Sequence, residues 1–436
     1  MPTPPPFLLG GIQVNEDDQA AWCEALVNAG FNTLQVTVYA IQGDWDSADL
    51  HVDPVDEGTV KKIRAARAAG LHVALILRVH TDHAHPRNRF LWHGLTRPAD
   101  GDTLDAWFKR YTAFITQWAD VAAAEGVTLL GLGSEMNALA STRPVKEIPS
   151  LEAYYLDPGK QSDNLDSIVA AAAVVPPDAV QAPGDGMPAE NLRLFAGEKA
   201  QALARWAAAA SYAFDADGRP RRDRERVRLI NDRRATQLAH WRSLIAAARA
   251  RYPGPLTYAA NFDNYHEVAF WPELQAMGVN AYFPLRTPAE PASDAVLEAG
   301  WTKVFDELAA HQRTLDVAGK PVVFTELGYT RRDGCTVAPW AWEGFDLVGE
   351  DADLMVWAHR DEDPSERVRA MDALRRVNEQ RGRPLAGLLY WKLTTVPDHA
   401  RREAFALRIR PADDARAEAE GFARDPLQDT LLRFVD

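Results

Sequence analysis

Residues 71–79 read Leu-His-Val-Ala-Leu-Ile-Leu-Arg-Val, and residues 321–327 read Pro-Val-Val-Phe-Thr-Glu-Leu. Runs this short, this apolar and this rich in β-branched residues suit strands buried on both faces, the condition of a parallel sheet. Working outward from these two, the same kind of run recurs until there are eight: 7–14, 33–40, 72–79, 128–133, 256–261, 279–284, 321–326 and 385–392. Helical periods lie between most of them, at 16–28, 56–69, 104–125, 221–251, 295–318 and 364–381. Several close on a glycine suited to a left-handed C-cap, as at Gly30, Gly70 and Gly319. Eight strand–helix repeats predict a (β/α)8 TIM barrel. An open doubly wound sheet would carry a Gly-rich phosphate turn after its first strand, whereas Gly10-Gly11 lies inside the first run.

The chain of 436 residues reads as a single catalytic unit, 1–436, with one long insertion after the fourth strand, at 138–220, and a C-terminal extension at 398–436. The insertion holds Val-Val-Pro-Pro-Asp-Ala-Val-Gln-Ala-Pro-Gly-Asp-Gly-Met-Pro and a helical stretch at 189–213. It follows the C-terminal end of a strand, the face on which barrels build active sites. Hydrophobic residues at 47% and charged residues at 25% are ordinary for a globular chain. A formal net charge of -14 argues against a nucleic-acid partner, since such proteins carry basic patches. Cys23 and Cys335 are the only cysteines, which excludes a disulfide framework and predicts free thiols. The first residues, Met-Pro-Thr-Pro-Pro-Pro-Phe-Leu-Leu, lack the basic and apolar regions of a signal peptide, and no run is long enough to span a bilayer. The expectation is therefore a cytoplasmic protein with no membrane partner; the oligomeric state stays open.

Two carboxyl groups facing one bond, one protonated and one ionised, are what glycosidic cleavage requires. Strand ends of a barrel place residues in that way. Glu135, in Gly-Leu-Gly-Ser-Glu-Met-Asn, falls just past the fourth strand, and Glu326 closes the seventh. Singly, each reads as a surface charge or a capping partner; the pair at two strand ends reads as chemistry.

The motifs Gly-Ser-Glu-Met-Asn (133–137), Gly-Val-Asn-Ala-Tyr-Phe-Pro-Leu (278–285), Phe-Thr-Glu-Leu-Gly-Tyr (324–329) and Leu-Tyr-Trp-Lys (389–392) resemble those of clan A retaining glycoside hydrolases, most of all the glycoside hydrolase family 113 β-mannanases. The resemblance spans the barrel, without the 138–220 insertion or the tail. It implies a retaining double displacement on β-mannan-type or related oligosaccharides or polysaccharides, with Glu135 as general acid and base and Glu326 as nucleophile. That mechanism asks for a raised pKa on Glu135 and carboxyls about 5 to 5.5 Å apart. Much of the clan has an asparagine before the acid/base glutamate to bind the sugar 2-hydroxyl; Ser134 stands there, so Asn137 or Asn261 is expected to supply that contact. Tyr282 is expected to donate its phenol to Glu326, Trp391 to floor the cleaved sugar's subsite, and His80 to bond sugar hydroxyls. Trp45, Trp92, Trp271, Trp340 and Trp342 fall at or after strand ends, and Trp271 among them is a candidate sugar platform.

Two other readings stay open. The cluster His80, His83 and His85 suggests a metal-dependent barrel hydrolase, although such barrels place a His-x-His at the first strand, where this chain has Gln13-Val14. A carbohydrate-binding barrel without turnover is the other. No phosphate-binding loop, nucleophile elbow or complete dinucleotide fingerprint occurs, so no cofactor and no metal are expected.

Overall fold

The computed structural model describes residues 6–13, 18–160, 162, 189–341, 344–348, 354–357 and 361–435. Eight parallel strands close into a barrel: β1 (Leu8–Gln13), β2 (Thr33–Gln42), β3 (His72–Thr81), β4 (Leu129–Ser134), β5 (Leu256–Asn261), β6 (Met277–Asn280), β7 (Val322–Leu327) and β8 (Leu385–Thr394). Each pairs in parallel with the next, and β1 closes the ring by pairing with both β2 and β8. The chain is thus a (β/α)8 TIM barrel.

Helices α1 (Gln19–Asn28), α2 (Glu57–Ala68), α3 (Asp102–Ala124), α4 (Ala189–Ala210), α5 (Asp223–Arg249), α6 (Asp294–Thr314) and α7 (Pro364–Gln380) agree with the predicted periods to within a turn. Local chemistry starts several of them: Asp18, Asp56, Ser293 and Asp363 each accept backbone N–H groups at an N-cap. Between β5 and β6 two 3-10 turns, Tyr265–Glu267 and Trp271–Glu273, stand in place of a helix. In the tail, residues Leu407–Arg408 add to β8, and α8 (Pro426–Leu432) packs beside α7 and donates Gln428 Nε2 to the Ala29 carbonyl. It occupies the eighth helical place in the outer ring.

The barrel interior is filled at its base by Leu8, Ala74, Leu129, Ala276, Val323 and Leu389, a layer contributed by six different strands or strand starts. The larger apolar cluster lies between strands and helices. A third, with Trp45, Leu91, Leu95, Leu203 and Trp206, fastens α4 of the insertion onto the loops after β2 and β3. Cys23 and Cys335 are buried free thiols. No helix among the described residues is long and apolar enough to cross a membrane.

The sixth strand ends earlier than predicted, at Asn280, so Tyr282 lies beyond the strand and not at its end. Closure depends on Gly10, where a Cβ would overlap the Thr33 carbonyl oxygen of β2. Because the obstacle is backbone, it cannot rotate away. Gly10→Ala should lower the unfolding free energy by about 3 kcal/mol, the upper end of overpacking penalties. Urea denaturation checks this, and parent-like stability would contradict the close approach.

Candidate active site

Glu135 reaches the barrel mouth through an irregularity in β4. Pairing with β5 runs from Gly131–Thr257 to Ser134–Ala259, so β4 carries one extra residue, a β-bulge of the kind that re-aims a side chain. Glu135 follows with φ at 52°, a region non-glycine residues seldom visit. Its N–H donates to Ala259 O at 2.9 Å, and the Met136 N–H donates to Tyr258 Oη at 2.9 Å. Tyr258 is itself wedged against Trp241 and Phe270. Strain of about 1–3 kcal/mol persists only where the surroundings over-determine it, and these contacts do so.

Glu326 depends on a second bulge. Between β6 and β7 the pairing passes from Val279–Phe324 to Asn280–Glu326, leaving Thr325 as the extra residue. The insertion resets the alternation, so Val323 and Glu326 both face the interior. Thr325 Oγ1 donates to Asn280 Oδ1 at 2.8 Å, and Asn280 Nδ2 donates to Ser134 Oγ at 3.3 Å. This fully buried chain ties the ends of β4, β6 and β7 together. Ser134 is therefore a cross-brace with no surface left for a substrate.

Arg78, on β3, stands between the two carboxylates. Its Nη2 donates to Glu135 Oε2 at 2.6 Å and its Nη1 to Glu326 Oε1 at 2.9 Å. Tyr282 Oη donates to Glu326 Oε2 at 3.1 Å. His93, in the turn His93–Leu95, brings Nε2 to 3.4 Å from both Glu135 Oε2 and Arg78 Nη2. Glu135 and Glu326 are 7% and 4% exposed, so two acids and one guanidinium share a nearly dry site.

Burial pushes both carboxyls up and Arg78 pulls both down. For Glu135, Arg78 together with hydrogen bonds from His93 and Asn280 outweighs burial and holds it at about 2. For Glu326, burial prevails over Arg78, the charge on Glu135 adds to it, and the value rises to about 7. Like charges this close ionise in two steps that belong to the pair. In the unliganded site Glu326 is thus the carboxyl raised and Glu135 the one lowered, opposite to the expectation that Glu135 carries the raised pKa. Burial also lowers the pKa of His93, against the hydrogen bond that its ring donates to Glu135.

The profile of Glycoside Hydrolase Family 113 matches residues 13–145 and 229–358, more than half of the chain and including both glutamates. The chain belongs to Glycoside Hydrolase Family 113. No curated protein sequence matches it. Among solved structures it is similar to the GH113 β-mannanase AaManA from Alicyclobacillus acidocaldarius in complex with ManMIm, at 17% identity and TM-score 0.54, covering 96% of this chain and 98% of that one. It is also similar to a GH113 β-1,4-mannanase solved as a complex, at 15% identity and TM-score 0.58, covering 99% of each chain. At such identities the likeness concerns the fold. The family match breaks at 146–228, over most of the insertion.

The remaining candidates of this family 113 chain separate by position. His80 is exposed at the end of β3, with its ring edge-on to Tyr39 and His83. Trp391 is half-buried on β8 with Lys392 Nζ 4.9 Å from its ring centroid. Asn261 accepts the N–H of Phe262 at 2.9 Å, and Asn137 Nδ2 points to Asp263 Oδ1 at 3.4 Å. Trp271 is a correction: it has no exposed surface, donates Nε1 to Tyr265 O at 3.0 Å and packs near Tyr258, so it is core and not a sugar platform. Trp45 is buried with Arg87 over its ring, while Trp92 and Trp340 are exposed; Trp342 lies outside the described residues. Among the described residues, the three-donor group close enough for a metal is Asp333, Asp363 and Glu366, not the histidine cluster. Glu366 there is already engaged by Gly334 and Thr336 N–H groups and by Arg286.

Arg78, His93 and Asn280 were not singled out from the sequence. Arg78 had a visible signal, a lone charge inside an otherwise apolar strand. His93 and Asn280 had none, because only the fold brings them to Glu135.

The shared proton links folding to pH. Folded Glu326 keeps its proton to about pH 7, whereas the unfolded chain releases it in the ordinary carboxylate range, so the stability this proton confers is lost as pH rises toward 7. Glu135 works in the other direction, with stability lost as pH falls toward about 2. Glu326→Gln removes the first titration while keeping the side-chain shape. It should flatten the fall in Tm between about pH 5 and 7 and melt above the parent at about pH 8. Thermal melts across pH test this; a variant that keeps the parent's slope would place the proton elsewhere.

Proposed function

We propose that this family 113 chain is a retaining β-glycosidase acting on β-mannan-type oligosaccharides, with Glu326 as nucleophile and Glu135 as general acid and base. The observation that carries the reading is the gathering of both carboxylates on the two terminal nitrogens of Arg78. Carboxyls that share one guanidinium suit the short separation of retaining enzymes, about 5 to 5.5 Å, better than the roughly 6.5–9.5 Å that leaves room for an inverting water. The mannan preference rests on the β-mannanases named above. The working unit in this proposal is the whole chain, 1–436, with the 138–220 insertion and the 398–436 extension as parts of one barrel.

The reaction starts with a proton transfer within the pair. One proton is shared by two acids, and a glycosidic oxygen beside Glu135 accepts a hydrogen bond from its neutral form, which favours protonation there. Glu326 then faces the electron-poor anomeric carbon as a carboxylate, with Arg78 and Tyr282 stabilising its charge. Glu326 attacks that carbon, the C–O bond to the leaving sugar breaks, and Glu135 gives its proton to the departing oxygen. Water then enters, loses a proton to Glu135, and displaces Glu326 from the sugar. Each half-reaction inverts the carbon once, so the configuration is retained.

Glu135→Ala should slow cleavage of a mannooligosaccharide by about 10²- to 10⁴-fold, the usual share of general acid catalysis, and less for an activated aryl mannoside. Glu326→Ala should lose turnover and regain cleavage of the aryl mannoside in azide, giving the α-mannosyl azide. NMR of the first product should show the β anomer, and chelators should leave the rate unchanged. An α first product would sink the retaining assignment.

A further inference from the structure

Between the loop after β3 and α5, two guanidiniums are buried around one carboxylate. Arg97 and Arg233 are each 7% exposed. Asp100 Oδ1 accepts Arg233 Nη1, and its Oδ2 accepts Tyr212 Oη at 2.5 Å, so this acid is already engaged. Arg97 lies over the Tyr212 ring, its Cζ 5.1 Å from the centroid. Among the described residues the Nη2 atoms of both arginines are buried without a hydrogen-bond partner. Arg226, two turns before Arg233 on α5, donates Nε to Ser211 O and Nη1 to Asp223 Oδ1, and its Nη2 is a third buried donor left open.

Charge does not balance in this seam. Arg97 takes more repulsion from Arg233 than attraction from either acid that reaches it, Asp100 or Glu152, and with burial this pushes its guanidinium down to about 10. Burial also opposes the charge on Glu152 itself, in the helix Ser150–Leu156. Buried arginines are ordinarily paired and their donors filled, so an excess cation with open N–H groups calls for an anion. The tyrosine indicates its shape. Arg97 sits on the face of the ring, whereas Arg233 is linked to the hydroxyl rim through Asp100, so the two guanidiniums approach from different directions. A planar carboxylate suits a single guanidinium fork, while a tetrahedral ion presents oxygens to both. Asp100 is exposed, which opens the seam to solvent.

We propose that Arg97 and Arg233 form a site for a tetrahedral oxyanion of the phosphate class, held by their open Nη2 groups in the seam between the loop after β3 and α5. The ion is free phosphate or the end of a phosphate ester. Bound there, it ties α5 to the loop that carries His93, where Trp45 O already accepts the Arg97 N–H at 2.8 Å. Tyr212, two residues past α4, brings the end of the insertion into the same joint. Neither glutamate is part of it, so the proposal does not depend on the glycosidase reading.

Titration calorimetry and thermal melts of the whole chain near neutral pH test it, with inorganic phosphate, phenyl phosphate and acetate each compared with chloride at matched ionic strength. At least one phosphate probe should bind saturably and raise Tm, the first probe marking a free ion and the second an ester. Arg97→Met removes a buried charge that lacks a partner, so the variant should fold, and it should weaken phosphate binding about tenfold or more. Asp100→Asn should act in the opposite direction and tighten binding about threefold or more, because it removes the competing negative charge. Lost packing would not produce that gain, and this variant carries the test alone where Arg97→Met fails to fold. Phosphate binding equal to the parent's in both variants would overturn the site, as would a parent that binds neither phosphate probe beyond chloride. Acetate binding as tightly as phosphate would overturn the tetrahedral class.

Discussion

A single buried guanidinium sets the terms for the rest of this site. Arg78 comes from β3, Glu135 from the adjacent β4 and Glu326 from β7 across the barrel, so one side chain spans the interior. Two carboxylates in a dry pocket repel each other and lose hydration, and one cation cannot neutralise both. The remaining charge is removed by a proton. That single proton is what a two-carboxyl mechanism needs, one acid and one base at the same pH. The resting preference for Glu326 follows from what surrounds each group: His93, Asn280 and Arg78 converge on Glu135, so it ionises first, and its charge then holds the proton on its neighbour.

The backbone is shaped to bring these groups together. Regular strands would alternate side chains in and out, with a parity fixed from the base of the barrel. Leu129 and Val323 face the interior layer at the base, and a bulge interrupts β4 and β7 before each glutamate. The Ser134–Asn280–Thr325 chain then locks the two bulged strands to β6. Ser134 bears on this directly: an asparagine's larger amide in that place would compete with Asn280 for the same space.

Much of this was legible in the sequence. Parallel strands buried on both faces are written as continuous apolar runs, and all eight were readable, as were α1, α2, α6 and α7 with their acidic or hydroxyl N-caps, though not α8 behind Asp425. The sixth strand was misjudged at its end because Ala-Tyr-Phe-Pro-Leu stays apolar and buried after the ladder stops, so composition carries no boundary there. Trp271 was misread because a tryptophan just past a strand looks alike whether it turns to the cleft or to the core. Here the fifth unit lacks its helix, and the chain folds back through two 3-10 turns that bury the ring. The bulges were invisible, since register depends on two strands and neither strand's own sequence states it.

His93 connects the site to the insertion, over most of which the family match breaks. It sits in the turn His93–Leu95, between Leu91 and Leu95, and both leucines belong to the cluster that holds Trp206 of α4. Trp206 also donates Nε1 to the Leu95 carbonyl at 2.8 Å, fixing the turn's last residue. Three-residue turns of this kind have little stability alone. The packing of the insertion therefore supports the imidazole that contacts Glu135 and Arg78, and so influences which of the two glutamates ionises first. The described part of the insertion is in this way joined to the charge network through one turn, and its packing is felt at Glu135 through His93.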